Sequence, residues 1–312
     1  MHAQQGSWSG SRRALLGEAV KVAAGGTLAA ALARQGAQQA LAQSTPATPA
    51  YPELTVTITD AAFTVSATEV QAGYVLLTAV NRSKDSSSVG LVGPGPGRTM
   101  QDLMKEAQQD QATPQPSNGS LPPFFYTAAI AGGSGSIPAG GSGQAIIQLA
   151  AGDWAVFGGS ETSNQPPVFI TANAATSAAQ AAPTASVTIT ELDFAFGGFG
   201  QPIPAGRQTW QVVNRGTQPH MLSLGQIPAG ATIDQVLASV NQSQNATPAP
   251  GLLRREDFQD RGGVIVQSPG TAVWPLLDLP AGRYAALCFV GDPRHGGEPH
   301  VMEGMAAVFD VG

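Results

Sequence analysis

Four short landmarks occur twice in this chain, in the same order, and this repetition constrains the fold more than any other feature. They are an alternating Val-Thr-Ile-Thr segment, an apolar strand that ends in an Asn-Arg turn, a helix start, and an Ala-Gly turn. The first copy has them at residues 56–59, 81–83, 99–102 and 151–154, and the second copy at 187–190, 214–216, 232–234 and 281–284. Matching landmarks in a fixed order indicate a tandem duplication, with roughly 120 residues in each copy.

The composition favours short strands over long helices in both copies. Only 12% of the 312 residues are charged, while 38 are glycine and 24 are proline, which suits many strands joined by turns. Leu54, Val56 and Ile58 alternate with threonine, as expected for a half-buried strand. We therefore predict an all-β protein with two tandem β-sandwich domains. The predicted segments are domains at residues 53–173 and 186–312, linkers at 43–52 and 174–185, and a loop at 111–144.

The amino-terminal 42 residues predict export. Ser11-Arg12-Arg13 begins a pattern typical of a twin-arginine signal, and a weakly apolar Ala/Gly-rich segment follows it. Small-x-small cleavage sites end at Ala33 and Ala42, of which we favour Ala42. The alternative is an amphipathic helix with two chance arginines. We expect residues 1–42 to be a signal peptide and the protein to be periplasmic, extracellular or on the cell surface.

The stretch from Tyr284 to Val311 holds the residues with metal-binding chemistry. It contains the only cysteine, Cys288, two of the four histidines, and Met305. A thiolate, imidazoles and a thioether are the ligands that select copper. Because side chains alternate along a strand, we expect Cys288 and Met305 to point inward at the same end of two neighbouring strands. Met302 has the opposite parity, so Met305 is the preferred thioether.

This stretch resembles the carboxyl-terminal copper loop of the cupredoxins, the blue (type 1) copper family. The family's Cys, His and Met ligands fall on Cys288, His300 and Met305, and Gly304 precedes the methionine as in the family's His-x4-Met ending. Eleven residues separate Cys288 from His300, an interval longer than the usual few but lengthened also in copper nitrite reductases. The resemblance implies Greek-key β-sandwiches for both copies and a copper site in the second.

The resemblance implies a fourth ligand at His220. This residue follows the Asn-Arg turn and begins an apolar strand, where cupredoxins place their first histidine ligand. In the first copy, Ser87 aligns with His220 and Gly158 aligns with Cys288, and residues 43–219 contain neither histidine nor cysteine. We therefore expect one copper per chain, held by the second copy alone.

Each candidate ligand also has a purely structural interpretation. Taken alone, His220 on an apolar strand face would be a hydrogen-bonded core residue, Cys288 a small buried hydrophobe, and Met305 ordinary core. The combination of these residues with His300 at places that one fold would bring together favours copper binding.

The loop between the ligands carries three further polar residues. His295 lies among Arg294 and two glycines, and we expect it to be solvated and not a ligand. We also expect Glu298 and Glu303 to be solvated charges. His300 is expected to lie nearest the surface, although the long loop could cover it.

These observations predict an exported copper-binding protein that transfers single electrons to or from a redox partner protein. The alternative is a non-catalytic cupredoxin-like binding or copper-handling module with a decayed site. A multicopper enzyme would need several more histidines, so we expect no enzymatic activity. The formal net charge of −6 argues against nucleic-acid binding. No apolar run is long enough for a permanent membrane span.

Overall fold

The computed structural model describes residues 51–112, 121–159, 167–175, 180–241 and 252–312. The predicted signal peptide at 1–42 and most of the first predicted linker lie outside these residues, as does part of the second. Strands dominate the described chain, which confirms the predicted all-β class. No helix of the described part has the length and hydropathy of a membrane span.

In the described part of the chain, the first half contributes nine strands. They are β1 Glu53–Ile58, β2 Phe63–Val65, β3 Glu69–Gln71, β4 Gly73–Asn81, β5 Ser87–Gly93, β6 Ala129–Ile137, β7 Ser142–Leu149, β8 Gly152–Gly159 and β9 Val168–Asn173. The second half contributes ten more. They are β10 Val187–Leu192, β11 Ala195–Gly197, β12 Gly206–Asn214, β13 His220–Ile227, β14 Gln259–Gln267, β15 Ala272–Leu279, β16 Gly282–Leu287, β17 Gly291–Asp292, β18 Glu298–Pro299 and β19 Ala306–Val311.

Short helices lie between some of the strands. The α-helices are α1 Met100–Ala112 and α2 Ile233–Val240, and the 3-10 helices are Pro123–Tyr126, Arg255–Asp257, Pro293–His295 and His300–Glu303. Thr232 caps α2 in a reciprocal capping box with Gln235. Thr99 and Asp102 make the corresponding exchange at the start of α1.

The two halves share both large sheets. One sheet has the order β11-β10-β12-β15-β7-β4-β1-β2, and the other has the order β19-β16-β13-β14-β6-β5-β8-β9-β3. In each sheet the two halves meet in the middle, and equivalent strands follow in the same order on either side of that point. The repeat predicted from the sequence is therefore present in the topology. Strands β7 and β15 pair in one sheet and β6 and β14 in the other. The exact division into domains and linkers stays a prediction.

A large buried apolar cluster contains strand residues from both halves of the described chain. Strand β1 has Leu54, Val56 and Ile58 buried in alternation, as their spacing predicts. They belong to one buried cluster with residues of the second half such as Trp210 and Tyr284. Burial of apolar surface across both halves therefore stabilises them together.

The Gly/Ser-rich segment predicted to be loop contains a central strand, so that prediction is wrong. Strand β6 lies between β5 and β14, where the halves meet. A Cβ on Gly135 would lie 2.8 Å from the backbone of Gly263 in β14, and one on Gly133 would lie 2.2 Å from the Val89 carbonyl oxygen. Glycine is needed here for close backbone approach, and the composition alone does not distinguish that need from a loop.

Candidate metal centre

A hydrogen-bonded asparagine turn delivers His220 to the centre. The Asn214 side-chain amide donates to the Gln218 carbonyl oxygen at 2.9 Å, and its Oδ1 accepts from the Gly216 N–H at 2.9 Å. Asn81 makes the corresponding contacts in the first half. The turn ends at the first residue of β13, so His220 enters the core, where it is fully buried.

Backbone hydrogen bonds fix the other candidate ligands. The Cys288 N–H donates to the Met305 carbonyl oxygen at 3.2 Å, and the Met305 N–H donates to the His300 carbonyl oxygen at 2.8 Å. The His300 N–H donates to the Val290 carbonyl oxygen at 2.8 Å. Backbone hydrogen bonds therefore link Cys288, Met305 and His300 to one another.

Three donor atoms converge at this point. His220 Nδ1 lies 3.0 Å from His300 Nδ1, and Cys288 Sγ lies 4.0 Å from His220 Nδ1 and 3.6 Å from His300 Nδ1. All three residues are fully buried. The structure therefore brings together three of the four residues expected to bind metal, although their role as ligands stays a prediction.

The size of this triangle fits a metal ion. The point equidistant from the three atoms lies about 2.1 Å from each, because a triangle with these sides has that circumradius. Bonds of about 2.0–2.1 Å to imidazole nitrogen and about 2.3 Å to thiolate sulfur are typical of zinc with the same donors. Two imidazoles and one thiolate in a plane are the donor set of type 1 copper.

The two methionines of the loop differ in burial, and Met302 lies in a 3-10 helix, where strand parity does not apply. Met305 is fully buried in the apolar cluster that also contains Cys288 and Val290. Met302 is only partly buried and packs against a different cluster, beside Val301 and Leu287. Met305 is therefore the methionine that shares a buried cluster with Cys288, and its assignment as the axial ligand remains a prediction.

Asp193 orients His220, and the sequence analysis missed it. His220 Nε2 lies 3.1 Å from Asp193 Oδ1, and the same carboxylate accepts from the Thr217 N–H at 2.8 Å and from its hydroxyl at 2.6 Å. Since a carboxylate only accepts, Nε2 carries the proton and Nδ1 presents its lone pair to the triangle. A Cβ on Gly216 would lie 2.5 Å from both Nε2 and Oδ1, so glycine is required there.

Burial sets the protonation of the three donors. It lowers the pKa of His220, and, together with the nearby His220, it lowers the pKa of His300 to about 4. Burial raises the pKa of the Cys288 thiol. At neutral pH both imidazoles are therefore neutral and able to bind a metal, while the thiol must lose its proton when a metal binds.

A buried polar pair, Gln267 and Glu191, lies next to His220. Gln267, which pairs with His220 across β13 and β14, donates to Glu191 Oε2 at 2.7 Å. Burial raises the pKa of Glu191 to about 8, so this carboxyl is mostly neutral at pH 7. A neutral acid adds no full negative charge near Cys288.

The first half has no equivalent chemistry at the matching positions. Its register places Ile58 where the second half has Glu191, Ile137 where it has Gln267, and Ser87 where it has His220. Gly158 lies opposite Val89 in the position that Cys288 would take. The described part of the first half therefore contains no donor set like that of the second.

The structure corrects the expectation that His300 lies nearest the surface. Its side chain is fully buried, and the Phe194 ring meets it edge-on with centroids 5.3 Å apart. Phe194 has a left-handed backbone with φ of 65°, and Arg294 lies over its ring at 5.9 Å. The long loop and Phe194 cover His300.

The expectations for the other polar residues of the loop have mixed outcomes. Glu298 is exposed as expected. His295 is 56% exposed, as expected, whereas Glu303 is only 13% exposed and contacts His295. His295 Nδ1 also lies 3.2 Å from the buried Asp292 carboxylate. The glycine-flanked position of His295 therefore did not predict its surroundings, because its partners come from residues three and eight positions away.

Comparison with known proteins places the chain near copper proteins at low similarity. No protein-family model matches it, and no curated protein matches it. Among solved structures, a reduced auracyanin from Roseiflexus castenholzii is 21% identical over 41% of this chain and 99% of that one, with a TM-score of 0.28. Auracyanin A of Chloroflexus aurantiacus is 20% identical over 40% and 98%, with a TM-score of 0.26.

Solved structures that match a larger share of this chain include enzymes, against the expectation that the chain is not an enzyme. A copper-containing nitrite reductase from Thermus scotoductus is 11% identical over 84% of this chain and 62% of its own, with a TM-score of 0.22. A multicopper oxidase from Pseudomonas thermotolerans is 9% identical over 86% and 69%, with a TM-score of 0.27. The exclusion of enzymes from the sequence is therefore not supported. What the strand order and the donor positions themselves establish is a cupredoxin-like all-β fold.

The buried neutral state of His300 predicts a pH dependence of stability in the metal-free protein. Its pKa is about 4 in the folded chain, against about 6.5 for an unfolded histidine. Between these values the unfolded state binds more protons, so this contribution to the free energy of unfolding falls as the pH falls. We expect wild type to lose stability relative to His300→Leu from pH 6.5 to pH 4 in urea unfolding. A constant difference across that range would contradict a buried neutral His300.

Proposed function

We propose that this protein binds one copper ion through His220, Cys288, His300 and Met305 and exchanges single electrons at that site. The observation that carries the proposal is the buried triangle of two imidazole nitrogens and one sulfur, with sides of 3.0, 3.6 and 4.0 Å. Bound copper would supply a couple between its singly and doubly charged states.

The donor types favour copper over other divalent metals. Thiolate and thioether are soft ligands that suit singly charged copper, and imidazole suits both of its charge states. A trigonal set with a weak axial thioether is the arrangement found in blue copper sites. Structural zinc takes four strong ligands in a tetrahedron, whereas here the fourth candidate is the thioether of Met305.

The protein itself holds the donor side chains in fixed positions and excludes water from them. Asp193 fixes the His220 ring, and the backbone bonds between Cys288, Met305 and His300 fix the loop. Because these contacts do not depend on the charge of the metal, the ligands need to move little when an electron is exchanged. The apolar cluster around Cys288 keeps the thiolate from water.

The first half helps to build this shielding. Residues Val92, Leu103, Leu121, Ala128, Ile130 and Ala155 of the first half pack in the same cluster as Cys288, Val290 and Met305. The Tyr126 hydroxyl donates to the Gly291 carbonyl oxygen at 2.6 Å, next to the loop that carries the ligands. The first half therefore acts as a wall of the copper site.

A copper-handling role is the second candidate, and the burial of His300 favours it. Direct exchange with a redox partner is simplest when one ligand edge reaches the surface, and here Phe194 covers that edge. If electrons are exchanged with a partner protein, the partner would contact the loop around Phe194 and Arg294. Slow electron exchange with stable copper retention would favour the handling role.

Export through the twin-arginine route is part of the proposal, supported by Ser11-Arg12-Arg13 and the Ala/Gly-rich segment after it. This route carries folded proteins, which fits a protein whose metal site is completed by folding. The expected location is the periplasm, the cell surface or the extracellular space.

Ligand variants test the copper site. Wild type should bind one copper per chain by metal analysis and show an intense visible band from the copper–sulfur bond. Cys288→Ser and His300→Ala should abolish the band, while Met305→Leu should only shift it, because the axial contact is weak. His295→Ala is the matched control, since it removes a histidine of the same loop and should leave the band nearly intact.

Two results would contradict this assignment. A copper content near zero in desalted wild type would refute the site, and a content near two would contradict the expectation of one copper per chain. Loss of the band in His295→Ala with retention in His300→Ala would show that the wrong histidine was chosen.

The export proposal has a separate test. Replacing Arg12 and Arg13 with lysine keeps the charge but removes the paired arginines. We expect the precursor to accumulate inside the cell, as measured by immunoblotting of cell fractions. Normal export of the lysine variant would refute the twin-arginine assignment without bearing on copper binding.

A further inference from the structure

We propose that the loop between Cys288 and Met305 holds a second metal site, formed by Asp292, His295 and Glu303, for a divalent first-row cation such as Zn²⁺. One ligand atom from each residue lies within 4.8 Å of the others. None of these residues belongs to the proposed copper set, so the inference does not depend on copper binding.

The contacts of His295 point to a cation between these side chains. Its Nδ1 lies 3.2 Å from Asp292 Oδ2 and also contacts Glu303 Oε1. A ring nitrogen carries at most one proton, and without a proton its lone pair would face two carboxylates. A divalent cation at this point would be bound by all three groups at once.

Glu303 provides a second, independent observation. Its Oε2 is buried and has no hydrogen-bond partner among the described residues, and its side chain is only 13% exposed. A buried carboxylate oxygen without a partner is costly in a folded protein. A bound cation is a partner that would offset this cost.

Asp292 is held so that one oxygen remains directed at His295. It is fully buried, and its Oδ1 accepts from the Arg294 N–H at 2.8 Å and from Arg294 Nε at 3.3 Å, while its Oδ2 has a longer contact of 3.5 Å with Arg294 Nη2. Its Oδ2 is the oxygen that faces His295. Two carboxylates against one guanidinium leave a net negative charge, which favours a cation.

The loop backbone is ordered enough to hold ligands. The Gly297 N–H donates to the Asp292 carbonyl oxygen at 2.6 Å, and the Gly304 N–H donates to the Val301 carbonyl oxygen at 3.3 Å. Gly296 and Gly304 adopt left-handed conformations that end the 3-10 helices carrying His295 and Glu303. The extra residues between Cys288 and His300 thus form a defined structure that supplies two of the three donors.

The donor types set the class of metal. One imidazole and two carboxylates suit zinc, iron and manganese better than singly charged copper, which prefers sulfur. Three protein ligands leave positions for water or a small molecule. His295 is 56% exposed, so the site is reachable from solvent.

Zinc titration of the full chain tests the site. The titration uses Cys288→Ser, which removes the thiolate of the proposed copper site, and measures Zn²⁺ binding by calorimetry. We expect one Zn²⁺ per chain at this cluster. Glu303→Gln and His295→Ala should each weaken it at least about tenfold, because even the loss of an outer partner of a metal ligand costs 10- to 100-fold. Glu298→Gln, an exposed carboxylate of the same loop, is the matched control and should bind Zn²⁺ unchanged.

The outcomes separate this inference from the copper proposal. Absence of Zn²⁺ binding in Cys288→Ser, or binding that Glu303→Gln and His295→Ala leave unchanged, would overturn the second site. Circular dichroism of each variant checks that it is folded, and Glu303→Gln keeps the shape of the side chain. Failure of wild type to form the copper–sulfur band would refute the copper site and leave the zinc result intact.

Discussion

Three candidate metal-binding side chains have donor atoms within 4.0 Å of one another in a fully buried part of the second half, and the proposed function depends on that convergence. Each donor comes from a different place: His220 from the first residue of a strand, Cys288 from just after another, and His300 from a 3-10 helix. Burial keeps both imidazoles neutral and the thiol protonated, which favours folding without a charge in the core. A metal ion would replace the thiol proton and bind all three donors.

Because the two halves share both sheets, the first half contributes to the surroundings of the candidate site although it has no matching donors. Strands β6 and β14 join the halves beside the site, and the first half supplies most of the apolar cluster around Cys288. In its own matching positions the first half has Ile58, Ile137 and Ser87, which fill the core without metal chemistry. The candidate donors therefore lie in the second half, while the first half supplies apolar residues that pack around Cys288.

Sequence periodicity predicted the strands and the repeat because alternating burial and the Asn-Arg turn are local signals. The parity of Cys288 and Met305 likewise depends only on strand geometry. Asp193 was missed because its contact with His220 joins residues 27 positions apart, and a single Leu-Asp-Phe segment carries no sign of it. Strand β6 was missed because its glycines reflect close packing in the middle of a sheet. The burial of His300 was missed because it depends on Phe194, which is distant in the sequence and lies on a turn.

X-ray absorption at the copper edge of the copper-loaded protein tests the central claim most directly. We expect one sulfur and two nitrogen neighbours at about 2 Å, the distance set by the triangle of Cys288, His220 and His300, with the same neighbours in the oxidised and reduced forms. A first shell of nitrogen and oxygen without sulfur would contradict the account, because it would place copper outside that triangle.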